Sequence, residues 1–212
     1  MMRIWFRSVL YLFVVSGVSL AIASSYVQFF RALDIDDAGT VAQLLSRGFD
    51  PNAANEKGDL ALVVALRDGS PKVAEVLLAH PELKADAVNA SDETALMMAA
   101  LRGNLAVAQR LLDRGAAVNR PGWTPLHYAA SGPEPRMVAL LLDRGARIDA
   151  AAPNGNTPLM MAARYGTQEV AELLLARGAS AAPRNRNGLG AADFARAADR
   201  ERLALRLEQA AR

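Results

Sequence analysis

The sequence predicts an all-α protein, a solenoid of about five to six stacked helix-turn-helix units. Three observations carry that prediction. A short box recurs at a nearly constant interval, a leucine cluster follows each box at a fixed distance, and the composition suits thin helices. Of the 212 residues, 52% are hydrophobic and 22% charged, which specifies a folded chain, while aromatics reach only 6%. Alanine and leucine supply the apolar content, not the β-branched and aromatic residues of a sandwich or barrel.

The first element is residues 1–23. A basic start holding Arg3 and Arg7 precedes an apolar run, and Ala21-Ile22-Ala23 precedes serines. This is the layout of a secretory signal cut before Ser24. No charge occurs from Ser8 to Phe30, a span of 23 residues, so an uncleaved membrane anchor is the alternative. Either reading exports the remainder, because the arginines stay inside. The expected location is the bacterial periplasm, either free or anchored in the inner membrane and facing the periplasm. Without the two arginines the 24 basic residues fall to 22 against 22 acidic ones, so nucleic acid is not an expected partner. The chain has no cysteine, which excludes disulfides, thiolate metal sites and thiol nucleophiles.

The repeats come next. The boxes begin at Leu60 (LALVVAL), Thr94 (TALMMAA), Thr124 (TPLHYAA), Thr157 (TPLMMAA) and Gly190 (GAADFAR), at intervals of 34, 30, 33 and 33. Leu77, Leu111, Leu141 and Leu174 each lie 17 residues after their box. The same count back from Leu44 gives Val27, and forward from Gly190 gives Leu207, so degenerate copies flank four clear ones. The organisation read from this is a degenerate N-terminal capping repeat at 24–54, four repeats at 55–185 and a degenerate C-terminal capping repeat at 186–212. Within a unit, Thr94, Thr124 or Thr157 caps the first helix and Pro125 or Pro158 takes its first position. Pairs such as Ala129-Ala130 keep that helix thin. The second helix carries the leucines and stops at Gly48, Gly115, Gly145 or Gly178. One such hairpin cannot bury its own leucines, so neighbours must stack.

GWTPLHYAA (122–130), GNTPLMMAA (155–163) and DETALMMAA (92–100), each followed by leucines and most by a closing glycine, resemble the ankyrin repeat, over about residues 27–212. The resemblance implies β-hairpin fingers between units, and a hydrogen bond between the box threonine and histidine, here Thr124 and His127. It implies protein binding without catalysis. The connection before Trp123 is three residues short, which predicts a stunted finger, and HPELKADAV (80–88) replaces the usual ending of its unit.

No catalytic, cofactor-binding or metal-binding residue is predicted, and no cofactor. His127 and Ser131 share a helical face, but no third group orients the histidine, and the sister units carry Val63, Met97 and Met160 in its place. His80, Glu82 and Asp86 read as a helix end with solvated charges, and no phosphate loop is present. The methionines of the boxes read as packing between units.

Positions that differ between copies are free to be specific. Before the boxes these are Asp59, Glu93, Trp123 and Asn156. At the ends of the first helices they are Arg67 and Asp68, Leu101 and Arg102, Ser131, then Arg164 and Tyr165. The resemblance places both sets on the concave side. Asp59, Arg67, Asp68, Glu93, Arg102, Trp123, Asn156, Arg164 and Tyr165 are the predicted partner-binding residues, and tryptophan, tyrosine and arginine are frequent interface anchors. The expected partner of this module, a monomer, is another protein, such as an exported enzyme or toxin that it helps or inhibits. A membrane contact arises only if the leader is retained, when the chain would act as a structural tether.

Overall fold

The boxes become helix starts. A computed structural model describes residues 23–212, so the leader reading lies outside the described residues except for Ala23. The chain divides into two compact units that meet in sequence at Leu83 and Lys84. The first holds α1 (helical over 23–34), α2 (Ala38–Ser46), α3 (Ala61–Asp68) and α4 (Pro71–Ala79). The second holds α5 (Ala95–Leu101), α6 (Leu105–Asp113), α7 (Pro125–Ser131), α8 (Pro135–Asp143), α9 (Pro158–Arg164), α10 (Gln168–Ala176), α11 (Ala191–Arg196) and α12 (Glu201–Ala210). No helix of the described residues is long and apolar enough to cross a membrane.

In the second unit α5, α7, α9 and α11 pack one on the next, and α8 packs on α10. In the first, α2 packs on α4. Leu77, Leu111, Leu141 and Leu174 are all 0% exposed. Each covered leucine contributes about 1.5 to 3 kcal/mol to the unit that holds it. Thr94 Oγ1 accepts the Met97 N–H at 3.3 Å, Thr157 Oγ1 accepts that of Met160 at 3.4 Å, and Pro125 and Pro158 open their helices. Gly115 and Gly178 close α6 and α10 at φ of 87° and 93°, a left-handed turn that glycine makes without a Cβ penalty.

Two places depart from the repeat pattern. Val27 is 64% exposed within a helix already under way, whereas in the later boxes that position starts the helix. Valine offers no cap there. Phe29 and Leu33, both 0% exposed, fill the core in its stead, and Phe29 stacks on Phe49 at 4.3 Å. At the other end α4 closes on His80 in extended conformation (φ −71°, ψ 131°), because HPELKADAV supplies no glycine.

Backbone approaches are close where the helices turn. A Cβ on Gly166 would lie 2.2 Å from the Ala130 carbonyl oxygen, and one on Gly132 would lie 2.7 Å from that of Leu101. Arg200, just before α12, reaches back to the end of α9 and donates through Nη1 to the carbonyls of Ala162 (3.1 Å), Ala163 (3.1 Å) and Gly166 (2.8 Å). A cation on these carbonyls complements the helix dipole, although that of Ala162 also accepts the Gly166 N–H. Arg200→Ala is expected to cost about 2 kcal/mol, read as a lower urea midpoint; an unchanged midpoint would show that water replaces the guanidinium without loss.

The fingers follow one rule with one exception. Isolated antiparallel bridges join Ala54 to Leu60, Val88 to Thr94 and Arg184 to Gly190. Backbone bonds run from the N–H of Asn55 to Asp59 O, Asn89 to Glu93 O, Ala152 to Asn156 O and Asn185 to Leu189 O, at 2.8 to 2.9 Å. At 118–124 no such bond forms among the described residues. Side-chain staples locate the shortening. Asp86 Oδ1 accepts the N–H of Ala117, 31 residues on, and Asp149 Oδ1 that of Ser180, also 31 on. Asn119 Oδ1 accepts that of Arg147 only 28 on, so the three missing residues lie between Asn119 and the Thr124 box.

Candidate partner-binding surface

The box of α7 shows what His127 does. It is 1% exposed. The Thr124 N–H, which can only donate, points at Nδ1 at 3.2 Å, and the Asn156 carbonyl, which can only accept, lies 3.0 Å from Nε2. These fixed roles leave one tautomer, neutral with the proton on Nε2. Burial pushes the imidazole below its ordinary pKa, against smaller opposing effects of the Asn156 and Ala150 backbone. The ring joins one repeat to the next and is sealed on its edge by Trp123, 5.2 Å between centroids at 74°. Ser131 Oγ donates to the His127 carbonyl at 3.0 Å and not to the ring.

The sister boxes satisfy the same amide with other atoms. Met97 Sδ accepts the Thr94 N–H at 3.4 Å, Met160 Sδ accepts that of Thr157 at 3.4 Å, and Asp193 Oδ2 accepts that of Gly190 at 2.8 Å. In four of the five boxes position four therefore supplies a lone pair to a helix start, Val63 being the exception, and proton transfer is not what it is built for.

The predicted binding residues differ in how much surface they offer. In the unit ending at Leu83, Asp59 is 7% exposed and takes a 3.0 Å bond from Arg67 Nη2, while Arg67 Nε donates to Asp68 at 3.2 Å. Arg67 and Asp68 remain accessible, with Asp59 behind them. In the unit from Lys84, Asn156 is 7% exposed, and its Oδ1 accepts from Asn185 at 2.8 Å, tying adjacent fingers together. Glu93 is half-buried between Asn89 Nδ2 (3.0 Å) and the Tyr128 hydroxyl (3.0 Å). Trp123 is half-buried, and Arg102, Arg164 and Tyr165 are exposed, with Leu101 and Ser131 intermediate. Tyr165 is 59% exposed and the Arg164 guanidinium carbon sits 5.4 Å from its ring centroid. Sequence reasoning missed Tyr128. Burial, and then the Glu93 charge, push its hydroxyl well above the ordinary tyrosine range, so it stays protonated and donates. Its signal was present, since Met98 and Met161 occupy that position in sister boxes.

Comparison with known proteins agrees with this construction. The family described as ankyrin repeats (3 copies) matches residues 29–121 and 116–185. Among curated proteins, the chain is 40% identical over 106 residues to the ankyrin repeat and KH domain-containing protein mask of Drosophila melanogaster, covering 48% of this chain and 3% of that one. It is 31% identical over 149 residues to the nuclear factor NF-kappa-B p105 subunit of Gallus gallus, covering 67% and 15%. The chain thus spans a small part of these relatives. A chain from the solved complex of the Bd0816 predatory endopeptidase of Bdellovibrio bacteriovorus with immunity protein Bd3460 superposes with a TM-score of 0.71 at 28% identity, covering 86% of this chain and 97% of that one. Within the span that the family match covers, three of four boxes are threonine-led, every second helix from α4 to α10 buries its leucine and three of four connections carry the finger bond, and the chain belongs to the ankyrin-repeat family.

Proposed function

We propose that the protein is a non-catalytic interaction module outside the cytoplasm, where as a monomer it binds an exported enzyme or toxin as its helper or inhibitor. The observation that carries this reading is the pair Arg164 and Tyr165, exposed where α9 ends, with Tyr165 59% accessible and its ring under a guanidinium. Exposed tyrosine beside arginine is a frequent anchor of protein interfaces. The similarity to a chain from an endopeptidase and immunity protein complex supports an enzyme as the partner class.

Export rests on the leader, and the hairpins limit how it divides. The Tyr26 hydroxyl donates to Ala54 O at 3.1 Å and Phe29 is buried, so residues from Tyr26 onward serve the first repeat. Residues 8–25 are left for an anchor, 18 in all, at the short end of what spans a bilayer. Cleavage before Ser24 fits this better than a tether, and the mass of the protein recovered from the periplasm decides it: loss of residues 1–23 is expected, whereas full length in the membrane fraction selects the tether.

The binding test uses that same fraction. Arg164→Ala with Tyr165→Ala is expected to weaken capture of the partner at least about tenfold without loss of fold. Equal affinity of the variant would remove this surface from the binding site.

A further inference from the structure

The shortened connection at 118–124 leaves a notch of about 430 Å³, lined by Arg120, Pro121, Gly122, Arg147, Asp149 and Ala150. That size lies within the range of ligand clefts. Three features distinguish it from a gap between loops. The four other connections close on their own backbone bond, but Val118, Asn119, Arg120, Gly122 and Trp123 make no backbone hydrogen bond as donor or acceptor. Five N–H groups, and the carbonyls beside them, are thus open for pairing, Pro121 having no N–H. Beneath it Arg120 is 14% exposed, with Nη2 on Asp92 at 2.8 Å and Nε without an acceptor. Beside it Arg147 is exposed, and its guanidinium has no ion-pair partner among the described residues. Asp149 also lines the notch, but one of its oxygens is committed to the Ser180 N–H at 3.0 Å.

We propose that this notch is a docking site for an extended, acidic segment of the protein partner, which takes the place of the missing finger. The inference rests on the reading of the chain as a protein-binding module and specifies the chemistry of what it binds. Main-chain groups of this partner strand hydrogen-bond to the N–H groups of Val118, Asn119, Arg120, Gly122 and Trp123 and to the carbonyls beside them, while the bend over 121–123 keeps the contact local. A carboxylate beside that strand meets Arg147, where an arginine fork gives a charge-assisted bond. The same carboxylate offers the Arg120 Nε–H an acceptor if the guanidinium turns outward. Asp92 already offsets the Arg120 charge and Asp149 keeps its own, so the selectivity for acid over amide comes from the direct ion pair with Arg147 and not from the net charge of the notch.

The test is an NMR titration of the full chain as isolated, with the peptide acetyl-Thr-Asp-Val-Asp-Thr-amide and with its Asn-for-Asp counterpart as control. The expected result is saturable shifts of the amides of 118–120, 122 and 123 and of the Arg147 side chain, with a Kd of about 1 mM or tighter. Arg147→Ala and the control peptide should each weaken binding at least about fivefold. Insertion of Asn-Gly-Asn between Arg120 and Pro121, which restores a 33-residue interval, should abolish it. A loop insertion of this size is tolerated at small cost, and Arg147→Ala stands as the test if that variant does not fold. Absent shifts, shifts elsewhere, or equal binding of both peptides would overturn the notch. A native partner that binds wild type and the insertion variant equally would overturn it too, while leaving the interaction reading in place. Peptide binding with no native partner captured by any form would instead count against that broader reading alone.

Discussion

Gly166→Ala is expected to cost about 3 kcal/mol or more, enough to release the last hairpins from the stack. The new Cβ would stand 2.2 Å from the Ala130 carbonyl oxygen and 3.1 Å from Ala162 Cα, and both are backbone, so neither can rotate away. Relief requires α9 to shift off α7, and overpacking of this kind typically costs 1 to 3 kcal/mol and sometimes more. The loss should propagate outward, because the Gly166 carbonyl also anchors Arg200, and repeat stability is a sum of neighbouring contacts. Gly178→Ala is the control. Nothing lies within 4 Å of its Cβ, and only the positive φ of 93° is strained, for about 1 kcal/mol. Urea unfolding with hydrogen exchange resolved over α9 to α12 measures both. A loss below 1 kcal/mol in Gly166→Ala would mean that the two helices are not in the close contact described.

His127→Ala carries the second large effect, about 3 kcal/mol, because it strands the buried Thr124 N–H and opens a cavity beside Trp123. His127→Met should cost only about 1 kcal/mol, since a sulfur already serves the same amide in two sister boxes. Acid should separate the two variants further. Burial lowers the folded pKa of His127 below its unfolded value of about 6.5. Below that pH the unfolded chain binds more protons than the folded one, so stability falls with falling pH. The histidine's contribution is complete above about 6.5 and is lost progressively as pH drops toward the lowered native value. Wild type should therefore lose more melting temperature between pH 7.5 and 5 than His127→Met does. Parallel profiles would show that the ring accepts a proton in place.

The sequence revealed most of the fold, and it revealed the site unevenly. Leu77, Leu111, Leu141 and Leu174 were readable as core because a single hairpin cannot bury them by itself, and a strict interval records that need. His127 was readable as a turn-holding group for the same reason, since sister copies dispense with imidazole. Val27 misled as a box position because an interval alone does not start a helix there, the helix already being under way from residue 23. Asp59 and Asn156 were read as variable and hence available, yet both are turned inward to neighbours, Arg67 and Asn185. Variation between copies marks freedom from the repeat rule, and a side chain can spend that freedom on its own neighbours. The notch was legible only as three absent residues, because the cations that line it, Arg120 and Arg147, lie outside every box.

The regular spacing of the Asp and Asn staples has a bearing on how such a chain lengthens and shortens in descent. Asp149 and Ala182 stand four places beyond Gly145 and Gly178, in the same register. Excising the 33 residues between those two points, 150–182, would join ends of the same register and leave a molecule one link shorter, in which α11 must meet α7 directly and both His127 and Arg200 need new carbonyl partners. The cut would take Ala150 and Ala151 from the notch but leave Arg120, Pro121, Gly122, Arg147 and Asp149, so the two cations that line it stay with the chain when a copy is lost.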